Sequence, residues 1–101
     1  MPDVSILLPC YNAASTLEET LNSLAAQSYT NFEVICVDDG STDDTAAILD
    51  AWGGRDTRFV VLKKSHGGIV DAANLGLEFC RAEIIVRMDA DDRCHPDRVS
   101  L

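Results

Sequence analysis

The sequence predicts an α/β fold in which a mostly parallel sheet of about four strands carries helices on both faces. Short apolar runs rich in β-branched residues alternate along the chain with segments of helical periodicity. The connections between them are short, which favours right-handed crossovers and parallel pairing. No internal repeat or linker divides the 101 residues, so we predict one domain over residues 1–101.

The first strand and helix are predicted from the start of the chain. Residues 4–8 form a nearly continuous apolar run, typical of a strand buried on both faces, and Pro9 is expected to end its hydrogen-bonded ladder. A helix is expected from Ser15, because Ser15 and Glu18 have the spacing of a capping box. The apolar residues that recur on one face of this helix are Leu17, Leu21 and Leu24.

The later elements continue the same alternation. We predict strands over residues 32–37, 59–62 and 83–88, and helices from 44 to about 52 and over 69–79. Gly40 is expected to permit a tight turn, and Ser41, Thr42 or Asp43 to cap the second helix. The pair Gly53-Gly54 is expected to end that helix.

Composition and charge exclude several functional classes. The formal net charge is -9 and the pI is about 4.3, with the eight Lys and Arg residues scattered, so nucleic acid is not an expected partner. No apolar run is long enough to span a membrane, and residues 1–3 lack the basic start of a secretory signal. We therefore expect a cytoplasmic protein, with membrane association only through regions outside this chain.

The four cysteines form no C-x-x-C pair. Three of them lie in or beside runs expected to be buried, which favours reduced cysteines that act as small apolar residues. Cys94-His95 resembles half of a zinc site, but a tetrahedral site needs two further ligands from distant segments. Zinc is not expected.

An acidic cluster follows the last predicted strand. Asp89, Asp91 and Asp92 fall within four consecutive positions, where their charges repel unless they are solvated, partly protonated or bridged by a cation. Oxygen ligands suit Mg²⁺ or Mn²⁺, whereas the alternative is a solvated acidic turn. Since ligands of parallel sheets lie beyond the carboxyl ends of the strands, this cluster is expected beside the loops that follow the other three strands.

Three motifs at successive strand ends resemble family 2 glycosyltransferases. They are LPCYN at residues 8–12, VDDGSTD at 37–43 and MDADD at 88–92, and Asn74, Gly76 and Pro96 follow the same pattern. The resemblance covers essentially the whole chain. It implies the GT-A fold, a nucleoside-diphosphate sugar donor and inversion at the anomeric centre.

The resemblance also implies roles for individual residues. Tyr11 would stack on the nucleobase and Asp39 would accept a hydrogen bond from a base N–H, which in uracil is the ring imide, so a UDP-sugar is the favoured donor. Asp89 would contact the ribose or a metal-bound water, and Asp91 would ligate the Mn²⁺ or Mg²⁺ that bridges the phosphates. The residues expected at the nucleotide are Pro9, Tyr11, Asn12, Asp39 and Asp89, and those expected at the metal are Asp91 and Asp89.

Each role has a structural alternative. Tyr11 is also suited to covering the sheet edge. Asp38 is expected to hydrogen-bond the turn, Asp43 to cap a helix, and Asp92 to orient the metal site or a backbone amide. His66 lies near the site by sequence order and receives no role.

The chain departs from the family pattern at two points. Ala73 stands where family members commonly carry Arg before Asn74, which removes one contact near the diphosphate. The chain ends at Leu101, so the acceptor half and the general base are expected outside it, and the chain alone is expected to bind donor without transferring sugar. We also expect an uncovered strand edge near the C-terminal segment to pair two copies as a homodimer.

Other classes fit the sequence less well. A receiver-like phosphoacceptor domain carries its Asp-Asp pair near the first strand, whereas here the pair follows the second. A dinucleotide-binding module requires G-x-G-x-x-G after its first strand, and residues 9–14 contain no glycine. The main alternative is a non-catalytic nucleotide-binding fragment.

Overall fold

The computed structural model describes residues 2–26 and 31–88 as a parallel sheet with helices on both faces. The strand order across the sheet is β3-β2-β1-β4, and every described strand pair is parallel. The elements are β1 Val4–Cys10, α1 Ala14–Ala25, β2 Phe32–Asp39, α2 Thr45–Arg55, β3 Phe59–Lys64, α3 Ile69–Phe79 and β4 Ile84–Arg87. The predicted α/β architecture is confirmed.

The two central strands are buried along their whole length. β1 pairs with β2 from Val4 opposite Phe32 to Cys10 opposite Asp38. Neighbours on both sides and helices on both faces exclude water from β1, which explains its continuous apolar run. The charged Asp38 and Asp39 stand at the carboxyl end of β2, beside the loops.

Alternate residues of the central strands contribute to two apolar layers. Ile6 and Leu8 face α1 and α2, where they join a cluster with Leu17 and Trp52. On the opposite face a smaller cluster packs under α3, and its buried members are Leu7, Ile35, Val37 and Ala72. The helix α3 lies close to this face, because the Leu7 side chain occupies the space that a Cβ on residue 76 would need, and only glycine leaves that space free.

Several boundaries differ from the sequence prediction, and three of them contradict a predicted start or end signal. Pro9 does not end β1, because Pro9 pairs in register with Val37 and Cys10 continues the strand, so only one N–H is lost from the ladder. Gly53 and Gly54 do not end α2, which continues through both to Arg55, since tertiary packing outweighs the low helix propensity of glycine.

The third difference is at the start of α1, where no capping box forms. The helix begins at Ala14, one residue before Ser15, and Ala13 occupies the cap position without a side-chain hydrogen bond. The amides of Ala13 and Ala14 instead donate to Thr45 Oγ1 and Asp43 Oδ2 of the loop before α2. A long-range contact thus replaces the local cap.

A second buried carboxylate ties the amino-terminal edge of the sheet. Glu33 accepts hydrogen bonds from Ser5 Oγ at 2.6 Å, the Arg81 amide at 2.7 Å and Arg81 Nε at 3.0 Å. Ser5 Oγ in turn accepts from the Ala82 amide at 3.0 Å. These bonds fix the connection between α3 and β4 beneath the first two strands.

Candidate functional site

The carboxyl ends of β1 and β2, the loops after β1 and β3, and α3 line a cavity of about 230 Å³ at the carboxyl edge of the sheet. Parallel strands bring their carboxyl ends to one edge, so residues distant in sequence meet there. The residues that line the cavity are Pro9, Cys10, Tyr11, Asp39, His66 and Ala72. The structure therefore brings together three of the predicted nucleotide-site residues: Pro9, Tyr11 and Asp39.

Asp39 is the most densely hydrogen-bonded group of this cavity, with a side chain only 3% exposed. Its Oδ1 accepts from Lys64 Nζ at 2.8 Å and from the Gly67 amide at 3.0 Å. Its Oδ2 accepts from the Gly68 amide at 3.0 Å and lies 3.0 Å from His66 Nδ1. The carboxylate thus accepts three hydrogen bonds, while the Nδ1 hydrogen of His66 is directed to the backbone oxygen of Asp39 at 3.1 Å.

These contacts keep Asp39 ionised. Burial acts to raise its pKa, but the hydrogen bonds from Lys64, Gly67 and Gly68 and the Lys64 charge outweigh burial and lower the pKa to about 2. Gly67 and Gly68 directly precede α3, so the carboxylate also lies at the positive end of that helix. The negative charge of Asp39 is a fixed feature of the cavity.

Tyr11, in the loop after β1, stacks on His66, in the loop after β3. The ring centroids are 4.1 Å apart with an interplanar angle of 25°, and Tyr11 is 47% exposed. His66 Nδ1 also lies 3.1 Å from the backbone oxygen of Asp39. One face of the Tyr11 ring is therefore covered by protein, and a base can stack only on the other face.

Asn12 ties the first loop to the second. Its Oδ1 accepts from the Thr42 amide at 2.8 Å, and its own amide donates to Ser41 Oγ at 3.0 Å. Asn12 has a positive φ of 48°, a conformation that Asn tolerates better than most residues. The structure thus shows Asn12 as a link between loops, and its predicted contact with nucleotide stays a prediction.

The structural alternative for Asp38 is confirmed. Asp38 Oδ1 accepts from the Ser41 amide at 3.1 Å and so closes the turn around Gly40. Asp43 does not occupy the cap position of α2, which is Asp44 and has no side-chain cap hydrogen bond, so Asp43 lies one residue earlier in the loop. Asp43 Oδ1 accepts from the Thr45 amide at 2.9 Å at the start of α2. Both carboxylates shape the loop rather than line the cavity.

Three cysteines fall in the described residues, and all are free thiols: Cys10, Cys36 and Cys80. Cys10 lines the cavity but is buried, and burial followed by the charge of Asp38 raises its pKa to about 12. Burial raises the pKa of Cys36 as well. These thiols are protonated and unreactive at neutral pH, as predicted for small apolar residues.

The acidic cluster of Asp89, Asp91 and Asp92 lies outside the described residues, as do Cys94 and His95. Within residues 2–26 and 31–88, no group of three potential ligands could hold a metal ion. The strand that leads to the cluster is in place, since β4 pairs with β1 and the Met88 amide donates to Leu7 O at 3.0 Å. β4 and Met88 therefore lie beside β1, the strand that carries Pro9.

Sequence reasoning missed the contributions of His66 and Lys64. His66 received no role, and nothing in the sequence alone indicated that its ring reaches both Tyr11 and Asp39. The position of Lys64 follows from the register of the sheet in the structure, where Lys64 ends β3 directly opposite Asp39 in β2. The offset between those two strands is set by packing and is not visible in the pattern of residues.

The family model described as glycosyl transferase family 2 matches residues 5–101. This chain belongs to that family. Relatives include a chondroitin synthase of Pasteurella multocida, 35% identical over 100% of this chain and 10% of its own length. The glycosyltransferase GlyG of Streptococcus pneumoniae is 39% identical over 88% of this chain and 30% of its length. The chain thus spans a third or less of these relatives.

Solved structures agree on the fold. TarS of S. aureus, residues 1–349 in complex with UDP-GlcNAc, has a TM-score of 0.87 and 32% identity over 96% of this chain and 28% of its own. A mannosyltransferase of Pyrobaculum calidifontis in complex with GDP-Man and Mn²⁺ has a TM-score of 0.87 and 30% identity over 95% of this chain and 30% of its own. The predicted GT-A fold is confirmed. None of the helices in the described ranges is long and apolar enough to cross a membrane.

Proposed function

We propose that this chain binds the donor of an inverting glycosyltransferase, a nucleoside-diphosphate sugar with UDP as the nucleotide, together with Mn²⁺ or Mg²⁺. The observation that carries the proposal is the cavity at the carboxyl edge, where the half-exposed ring of Tyr11 and the ionised carboxylate of Asp39 lie in one wall. An aromatic face and an acceptor are the two groups that recognise a uracil ring and its imide N–H. The complexes of TarS with UDP and UDP-GlcNAc support this choice of ligand.

Recognition of a base by Asp39 requires an exchange of partners, because the carboxylate is buried and already accepts three hydrogen bonds. The amides of Gly67 and Gly68 belong to the backbone before α3 and are held by the fold. Lys64 contacts Oδ1 through a flexible side chain that also donates to Ser65 O at 2.6 Å. We infer that a base N–H takes the place of Lys64 Nζ, which leaves a cation close to the bound nucleotide.

The metal of the proposed complex would be held by Asp91 and Asp89. The oxygen donors of these side chains match the preference of Mn²⁺ and Mg²⁺. The strand that precedes them in sequence, β4, runs parallel to β1, whose carboxyl end borders the cavity. The Mn²⁺ found with the related mannosyltransferase supports a divalent ion. Such an ion, when bound, neutralises charge on the diphosphate leaving group.

The acceptor site and the general base are proposed to lie outside residues 1–101. Asp39, the carboxylate that lines the cavity, has a lowered pKa and already accepts three hydrogen bonds, and so is a poor proton acceptor. The chain by itself is therefore proposed to bind donor in the cytoplasm without transferring sugar.

Self-association also stays a proposal. In the described part of the sheet β4 is an outer strand, and its Ile84 and Ile85 are 44% and 43% exposed. Apolar side chains on an uncovered strand favour pairing between two copies of the chain. Sedimentation at micromolar concentration tests it, and a monomer at every concentration would contradict it.

Calorimetric titration with UDP, GDP and dTDP, each with and without Mn²⁺, tests the proposed function. We expect UDP to bind most tightly and Mn²⁺ to strengthen binding. The variant Asp91→Asn keeps the size and polarity of the side chain but removes its charge, and should abolish the Mn²⁺-dependent part. Asp50→Asn is the matched control, because Asp50 is an exposed carboxylate of α2 that pairs with Lys63 of β3. Failure of all three nucleotides to bind would refute the function, and an unchanged Mn²⁺ effect in Asp91→Asn would refute the metal assignment.

A further inference from the structure

His66 contacts both groups that the proposed function assigns to base recognition. Its Nδ1 lies 3.0 Å from Oδ2 and 3.1 Å from the backbone oxygen of Asp39, and its ring stacks on Tyr11 at 4.1 Å. Tyr11 lies in the loop after β1 and Asp39 is the last residue of β2, whereas His66 follows β3. A single side chain thus joins three segments that are distant in sequence.

The contacts of His66 define where its ring carries hydrogen. Both atoms of Asp39 near Nδ1 are acceptors only, since one is a backbone carbonyl oxygen and the other belongs to an ionised carboxylate. Nδ1 must therefore bear the hydrogen, in the neutral ring as well as in the charged one. The ring plane is fixed by this bond, and with it the face that His66 presents to Tyr11.

The fold provides a specific place for this residue. Gly40 has a positive φ of 72°, and a Cβ at that position would lie 2.5 Å from the backbone nitrogen of His66. The loop after β2 can therefore approach His66 this closely only with glycine there. The contact between the two loops is backbone packing, so the His66 side chain is directed by the fold and not by a flexible surface loop.

Tyr11 needs such a support, because its own loop leaves the ring 47% exposed. A ring that is free to change rotamer loses entropy when a base stacks on it, and that loss weakens binding. A second ring on its inner face limits this freedom before the ligand arrives. The gain appears as affinity without any new contact to the ligand.

We propose that His66 is a positioning residue of the donor-nucleotide pocket, holding the Tyr11 ring by stacking and the Asp39 carboxylate through Nδ1. This inference rests on the proposed function and names a residue through which base recognition is organised. His66 acts on the nucleotide through Tyr11 and Asp39. The ligand class is the uridine of a nucleoside diphosphate.

A double-mutant cycle between His66 and Tyr11 tests the proposal, with UDP in calorimetry as the readout. His66→Asn removes the ring and keeps a hydrogen-bond donor, and it should weaken UDP binding roughly 3- to 10-fold, the range expected for one aromatic pair. In the Tyr11→Ala background the same change should have almost no effect, because the ring that it supports is absent. His66→Phe restores a ring and should recover affinity relative to His66→Asn.

The controls separate positioning from a general effect on the fold. Lys63→Ala removes an exposed ion pair with Asp50 just before the same loop and should leave UDP affinity unchanged. Thermal unfolding of each variant checks that it is folded, and His66→Gln, which also lacks the ring, replaces His66→Asn if that variant is not.

Two results would overturn the proposal. Equal UDP affinity in His66→Asn and the wild type would exclude any role in binding. An equal loss with and without Tyr11 would mean that His66 does not act through that ring. A wild-type chain that binds none of the nucleotides would instead refute the proposed function itself, so the two failures are distinguishable.

Discussion

At the carboxyl edge of the sheet Asp39 accepts hydrogen bonds from the loop between β3 and α3, and at the amino edge Glu33 accepts them from the connection between α3 and β4. Both carboxylates are 3% exposed, and both have a pKa below the ordinary value. Only Asp39 borders the cavity, together with Tyr11 and His66. A buried, ionised carboxylate therefore does not by itself mark a ligand site.

The difference lies in what surrounds each carboxylate. The partners of Glu33 are a buried serine and the backbone and side chain of Arg81, which close the space around it. The partners of Asp39 do not fill the cavity that it borders beside the ring of Tyr11. We interpret Glu33 as a structural residue and Asp39 as a structural residue that also faces a ligand. The segments that flank α3 connect the two, because Gly67 and Gly68 before the helix contact Asp39 and Arg81 after it contacts Glu33.

The largest expected effect is the loss of stability when the Glu33 carboxylate at the amino edge is removed. Glu33→Ala leaves the Ser5 hydroxyl and the Arg81 amide without their acceptor, which should destabilise the chain by about 3 kcal/mol. The affinity for UDP should not change where the variant is folded. Urea denaturation and calorimetry measure the two quantities, and Glu78→Ala, an exposed carboxylate of α3, is the control. A large loss of UDP affinity in Glu33→Ala would contradict the separation of the two regions.

Acid should distinguish the two carboxylates. The pKa of Asp39 falls from an ordinary 3.8 to about 2 on folding, so its contribution is present above pH 3.8 and is lost as the pH falls towards 2. The shift corresponds to about 2 kcal/mol. The pKa of Glu33 is also lowered, because hydrogen bonds from Ser5 and Arg81 outweigh the effect of burial. The stability that Glu33 contributes is therefore lost as the pH falls below its ordinary pKa of 4.5.

Variants assign the two parts of this pH dependence. Lys64→Met should reduce the part lost below pH 3.8, and Ser5→Ala should reduce the part that begins near pH 4.5. Urea denaturation at several values of pH gives the free energy of unfolding of each variant. Lys63→Met, whose partner Asp50 is exposed, is the control. A pH dependence that is the same in Lys64→Met and the wild type would show that the Lys64 pair does not stabilise the fold.

The smallest expected effect tests the link between the two regions. Gly76→Ala places a Cβ against Leu7 under α3, and overpacking of about 1–3 kcal/mol should exceed the gain of about 1 kcal/mol in helix propensity. Gly54→Ala is the matched control in α2, since no atom lies within 4 Å of its Cβ position, and it should stabilise slightly. Equal unfolding temperatures for the two variants would mean that α3 does not pack closely.

Much of the fold follows from the sequence, because buried parallel strands leave continuous apolar runs and α3 was predicted over its observed range. The errors share one cause. The cap of α1, the path of β1 through Pro9 and the continuation of α2 through Gly53 all depend on partners more than 20 residues away or on packing, which local propensity does not include.

The sequence predicts which residues meet at the site but not how their side chains contact one another. Pro9, Tyr11 and Asp39 stand at strand ends, and sequence order alone indicated that they meet. The part that the sequence does not predict is the arrangement among loops: the stack of His66 on Tyr11, the three hydrogen bonds to the Asp39 carboxylate and the link made by Asn12. These depend on side-chain directions that no residue pattern records.

The most direct test of a ligand site at the carboxyl edge is a titration of ¹⁵N-labelled chain with UDP and Mn²⁺, followed by amide resonances in NMR spectra. We expect shifts for Tyr11, Asp39 and Gly67, which border the cavity or contact Asp39. The amides of Glu33 and Ala82, at the opposite edge, should not move. Shifts confined to the amino edge, or no shifts at saturating UDP, would contradict the central claim.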